Sequence, residues 1–168
     1  MAGEWVALAK AALSWVMHRL PGWCLRWRYP IRKCQDSLLV EAHGVGPHIY
    51  VNAGRAPAIV GLGFVLMNRL PFGVKVENLH LDVSLESRTL TNHDHSGKES
   101  VPGGGVLKIS ISDIHLTDGQ ARIVREHSSE CAVLRISGHI SCETVVGDLS
   151  KPLELETRAI IFRGDENR

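Results

Sequence analysis

Chemistry in this chain would come first from His93-Asp94-His95. Two imidazoles and a carboxylate in one polar run could ligate zinc or nickel if a third or fourth ligand arrived from elsewhere. His80, His115, His127 and His139 are the available completions. None of them stands at a recognisable ligand spacing, so the run reads as a solvated turn. His93 and His95 are kept as candidate ligands, and no metal or other cofactor is expected. Ser110, Ser112 and Asp113 beside His115 have the residue types of a nucleophile, an orienter and a base. They fall along an alternating strand without a nucleophile elbow, where such residues serve as an exposed sheet face. Gly103-Gly104-Gly105 could let a phosphate approach the backbone, but it lacks the Walker lysine and hydroxyl and no helix follows it. It reads as a flexible hairpin loop. Arg26-Trp27-Arg28 interleaves charge with an aromatic ring, as a single-strand binder does, yet two arginines and one ring do not make a groove. Catalysis is therefore not the leading expectation. The alternative is a metal- or histidine-dependent hydrolase built on His93, His95 and a third histidine.

The elements that would position these groups begin with an unusual opening stretch. Over the whole chain Lys and Arg number 19 and Asp and Glu 18, which gives no reason to expect a nucleic-acid partner. Residues 1–33, however, hold six basic groups (Lys10, Arg19, Arg26, Arg28, Arg32, Lys33) against the single acid Glu4. All four tryptophans, Trp5, Trp15, Trp23 and Trp27, lie there too. Cys24, Cys34, Cys131 and Cys142 show neither CxxC spacing nor the density of a disulfide scaffold, so they read as reduced thiols of a cytoplasmic-type compartment.

From Trp5 to Leu20 the residues are mostly good helix formers, with Lys10, Ser14 and His18 on one narrow polar stripe. Pro21-Gly22 should end that helix. Lys10 interrupts a run already too short to span a bilayer, and the charge order, acidic before and basic after, is the reverse of a secretory signal. Two readings of the amphipathic segment stay open. It is an interfacial helix, with Trp5, Trp15, Trp23, Trp27, Arg26, Arg28, Arg32 and Lys33 as the contact residues at headgroup level. Or the same apolar surface docks on the body of the protein, on a partner, or on a second copy of the chain.

After Tyr29-Pro30 the pattern is read as changing to period two. Leu38, Val40 and Ala42 alternate, and His48 to Asn52 forms a second strand beyond a glycine-rich turn. Ala58 to Asn68 is apolar on both parities, with Gly61 and Gly63 marking a bulge or a close backbone approach. In Val74 to Glu86 the apolar parity switches between Val76 and Leu79, which predicts one bulge near Glu77-Asn78. Residues 91–105 are polar and read as one exposed loop. Leu107, Ile109 and Ile111 alternate before a second switch near Ser112-Asp113. Thr117 and Gln120 have capping-box spacing and predict a short helix over 118–127. Long alternating strands from Ala132 to Cys142 and from Leu153 to Ile161 complete the chain.

Regular strands and no βαβ alternation make the fold mainly β: an immunoglobulin-like antiparallel β-sandwich with an N-terminal apolar, amphipathic helix and one short internal helix. The expected division is a Trp-rich basic segment, 1–33, and a sandwich domain, 34–168. The run Asn68-Arg69-Leu70-Pro71-Phe72 followed by Val74-x-Val76-x-x-Leu79-x-Leu81-x-Val83 resembles a strand pair of the type-2 late-embryogenesis-abundant fold, the water-stress and hypersensitive-response sandwich. The later strands, 105–117, 131–146 and 151–163, resemble its continuation, over about residues 38–163 in all. The resemblance implies a non-catalytic binding, protective or membrane-associated module without catalytic residues. The function expected is thus a cytoplasmic binding or scaffolding sandwich, anchored at a membrane surface or on a partner by residues 4–28. A lipid-carrying sandwich is a further alternative that would need an apolar cavity between the sheets.

Overall fold

The computed structural model describes residues 12, 20, 22–43, 49–54, 56–126 and 131–162. Two short helices, α1 (Gly22–Arg28) and α2 (Ile31–Ser37), precede the strands. Then come β1 (Leu38–Ala42), β2 (Tyr50–Asn52), β3 (Ile59–Asn68), β4 (Val74–Leu85), β5 (Arg88–Ser96), β6 (Ser100–Val101) and β7 (Val106–His115). Helix α3 (Asp118–Glu126) leads into β8 (Cys131–Thr144) and β9 (Gly147–Phe162).

Two layers result. In one, β3 lies between β7 on one edge and β1 and β2 on the other; in the second the order is β9-β8-β4-β5, with β6 beside the start of β4. The layers meet where β2 runs parallel to β9, Tyr50 opposite Ile160, while the other described pairs are antiparallel. The result is an open, sandwich-like fold. Leu62, Phe64 and Leu66 of β3 with Ile109 and Ile111 of β7 bury one inner face; Leu79, Leu81 and Val83 of β4 with Leu134, Ile136 and Ile140 of β8 bury the other. Leu25 of α1, Cys34 of α2 and Ala121 and Val124 of α3 belong to the same continuous core.

Both parity switches are bulges. Val76 pairs Cys142 and Asn78 pairs Ser141, so Glu77 is the extra residue that keeps Val74 and Val76 on the same buried face as Leu79 to Leu85. In β7, Ile111 and Ile114 oppose Leu62 and Val60, and Asp113 takes a φ of 60° to absorb the additional residue. Gly61 sits at this irregularity and also allows close approach, because a Cβ there would overlap the Tyr50 ring. The capping box forms as its spacing predicts: the Thr117 N–H donates to Gln120 Oε1 at 2.7 Å, and the Gln120 N–H to Thr117 Oγ1 at 3.4 Å.

Three expectations need correction. Residues 91–105 are not one exposed loop: Arg88–Ser96 forms β5 and Ser100–Val101 forms β6. β5 is an edge strand paired only to β4 along the sheet path, so half its surface meets water and its polar composition hides the alternation. The change to period two does not follow Pro30 directly, because Ile31–Ser37 is helical. Pro30 takes an extended conformation as N-cap and its carbonyl accepts the first helical bond from the Cys34 N–H at 3.1 Å. Gly103-Gly104-Gly105 is a packed turn and not a flexible loop. A Cβ at Gly103 would press on the Pro71 backbone, and the Gly104 N–H donates to the Leu70 carbonyl at 3.1 Å.

Candidate functional site at the helical corner

Helix α1, Gly-Trp-Cys-Leu-Arg-Trp-Arg, has one buried side chain, Leu25. At 100° per residue Trp23 and Trp27 lie side by side on the opposite face. They are 73% and 86% exposed. The helix closes with the Tyr29 N–H donating to the Leu25 carbonyl at 2.7 Å, and Pro30 forces the chain to restart as α2. Ile31 is 51% exposed, Arg32 and Lys33 are also exposed, and Cys34 turns into the core.

Side chains fasten this corner to the β8–β9 hairpin. Arg26 Nε donates to the Val146 carbonyl at 3.0 Å, Gln35 Nε2 to the Ser150 carbonyl at 2.6 Å, and Lys151 Nζ to the Gln35 carbonyl at 2.8 Å. Tyr29 meets Phe72 edge to face at 5.4 Å between centroids, with Lys33 Nζ 5.2 Å and Arg28 Cζ 6.0 Å from the Tyr29 ring centre. Arg26, Arg28 and Lys33 therefore help hold the corner as well as charging it. Burial pushes the Cys34 thiol up from 9.0, against a smaller opposing pull from Lys33. Between α1–α2 and the hairpin runs a cleft of about 480 Å³, lined by Arg26, Tyr29, Pro30, Ile31, Val146, Gly147 and Asp148.

The structure thus brings Trp23, Trp27, Arg26, Arg28, Arg32 and Lys33 together. Trp5 and Trp15, with most of the expected helix 5–20, lie outside the described residues. No helix among the described residues is long and apolar enough to cross a membrane.

The histidine run has a different geometry from that of a chelating turn. On β5, His93 and His95 share the face of Thr91, pairing Leu81 and Leu79, and their rings stack 6.5 Å apart. Asp94 points the other way, where its Oδ1 is 2.6 Å from His80 Nδ1. Strand alternation therefore separates the carboxylate from the two imidazoles that the sequence places beside it. His80 also has Asp82 Oδ2 3.7 Å from its Nε2 and the His139 ring 5.3 Å away. Its hydrogen bond to Asp94 raises its pKa above 6.5, opposed by desolvation and helped by the charges of Asp94 and Asp82. No three His, Cys, Asp or Glu side chains among the described residues gather as a metal site would need. Ser110, Ser112 and His115 are exposed along β7, with Asp113 in the bulge.

Two sets of contacts, one of them made by a residue that the sequence pattern already contained, were not legible in the sequence. Asn68 is buried, its Nδ2 within 2.8–3.2 Å of the Phe72, Val101 and Pro102 carbonyls, while the Leu70 N–H donates to its Oδ1 at 3.0 Å. It ties the end of β3 to the turn after it and to the β6–β7 turn, which is the physical content of the Asn-x-x-Pro pattern. His80–Asp94 could not be read at all, because the pairing depends on a register shift between Val83 and Ser84.

An open β-sandwich with short helices, carrying an aromatic and basic corner, is the class that fold and site define. Among solved structures it is similar to a late-embryogenesis-abundant protein, with a TM-score of 0.55 and 10% identity over 74% of this chain and 71% of that one. It is also similar to AT1g01470 from Arabidopsis thaliana, with a TM-score of 0.52 and 11% identity over 76% and 81%. At these identities the likeness is one of fold. No family profile and no curated protein matches the sequence.

Proposed function

We propose that the protein is a non-catalytic binding module that docks on the cytoplasmic surface of an anionic membrane through the α1–α2 corner. One observation carries the reading: two tryptophans on adjacent turns of α1, 73% and 86% exposed. A water-facing surface gains nothing from such a patch, whereas indole rings are favoured at headgroup level. The segment 22–37 adds four basic residues, Arg26, Arg28, Arg32 and Lys33, against the single acid Asp36. Each basic group near an anionic surface contributes about 1 kcal/mol. The likeness to the late-embryogenesis-abundant fold supports a module that binds instead of converting a substrate.

Co-sedimentation of the full chain with phosphatidylcholine vesicles, with and without phosphatidylserine, at low and high salt, tests the proposal. The chain should pellet with the anionic vesicles and be released in part by salt, the tryptophans holding the remainder. Equal recovery in the supernatant under all conditions would refute it.

A further inference from the structure

The corner is not the only apolar feature at its end of the molecule. Turn tips ordinarily hold Gly, Asn, Asp or Ser, but the β8–β9 turn, Thr144 to Gly147, carries Val145-Val146 at its tip. Val146 is buried and anchors the turn; Val145 is 40% exposed. The turn is held in shape by its own residues. The Thr144 hydroxyl donates to the Gly147 carbonyl at 2.7 Å, the Val146 N–H donates back to Thr144 Oγ1 at 3.2 Å, and Gly147 has a φ of 120° that other residues rarely adopt. It is also fixed to α1, since Arg26 Nε bonds to the Val146 carbonyl, and Ile31 and Val146 line the same cleft.

We infer that Val145 is the second foot of the membrane contact, so that the protein stands on α1–α2 and on the β8–β9 turn with the cleft between them over the headgroups. This rests on the docking proposed above. The occupant is an anionic lipid surface because the basic residues Arg26, Arg28, Arg32 and Lys33 of the two helices outnumber Asp36 of α2 and Asp148 of the cleft. Two feet joined by the Arg26 bond prevent the module from rolling about α1, and they direct the tip of the β8–β9 hairpin at the bilayer.

The test compares the partition of the full chain into phosphatidylserine-containing vesicles for wild type, Val145→Asp, Val145→Ser and Val133→Asp. Val133 is 39% exposed on β8, near the β4–β5 turn, where its carbonyl accepts from the Glu86 N–H. Thermal melts confirm that each variant is folded. Val145→Asp should weaken partition about tenfold and Val145→Ser less, while Val133→Asp binds as wild type. If wild type binds and Val145→Asp binds equally, the second foot is wrong and the docking through α1 stands; a protein partner or a second copy seated on the turn would give this result. A loss with Val133→Asp equal to that with Val145→Asp would likewise overturn it. If wild type itself does not bind, both proposals fall.

Discussion

Two short helices sit against the sandwich and treat their outward faces in opposite ways. Helix α3 buries Ala121 and Val124 and turns Arg122, Arg125 and Glu126 to solvent, with Arg122 Nε 3.2 Å from Glu126 Oε1. Its Arg125 Nε donates to the Ala53 carbonyl at 3.1 Å, tying it to the loop after β2. Helix α1 buries Leu25 and is tied down in the same manner by Arg26, yet it turns Trp23 and Trp27 outward. Attachment to the fold is thus alike at both, and only the exposed chemistry differs. Stability explains α3 completely. It explains the inner face of α1; the outer face is the one that the proposal above assigns to an anionic membrane surface.

The largest expected effect tests the side of that comparison that belongs to folding. Val124→Asp places a carboxylate at a site with no exposure and should remove about 4 kcal/mol or more of stability, seen as a shifted urea midpoint. A midpoint within error of wild type would mean that α3 is not part of the core. Next comes Asn68→Ala, which leaves the Leu70 N–H and the carbonyls of Phe72, Val101 and Pro102 without their shared partner. A loss of about 2–3 kcal/mol is expected by the same assay. Survival at wild-type stability would show that the turns beneath the α1 corner are held by packing alone.

The smallest effect separates both helices from the exposed sheet face. The His80 pKa is raised above 6.5, first by its hydrogen bond to Asp94, so the folded state favours the protonated ring. That contribution is fully present below about pH 6.5, the unfolded value, and is lost as pH rises through the higher folded value. His80→Gln should therefore lower stability most at acidic pH, with the difference from wild type narrowing above neutrality. A difference independent of pH would assign the effect to packing.

How much of this the sequence reveals depends on how local each cause is. The bulge at Glu77, the switch at Ser112-Asp113 and the Thr117–Gln120 box are written in spacings of a few residues, and all three were legible. β5 was not, because an edge strand with one wet face has no apolar alternation to display. α2 was hidden by its length, a single buried cysteine being its only inward signal within seven residues. Of the candidate site, Trp23, Trp27 and the basic residues were found from composition, while Val145 could be placed beside them only by the Arg26–Val146 bond across 120 residues.

The most direct test of the central claim measures folding and binding together on one protein, the full chain carrying Trp23→Ala and Trp27→Ala. The account expects a melting temperature close to wild type, corresponding to about 0.5 kcal/mol or less per site, with sedimentation on anionic vesicles reduced at least tenfold. A clear drop in melting temperature with vesicle binding intact would contradict it, and would return the outer face of α1 to the fold.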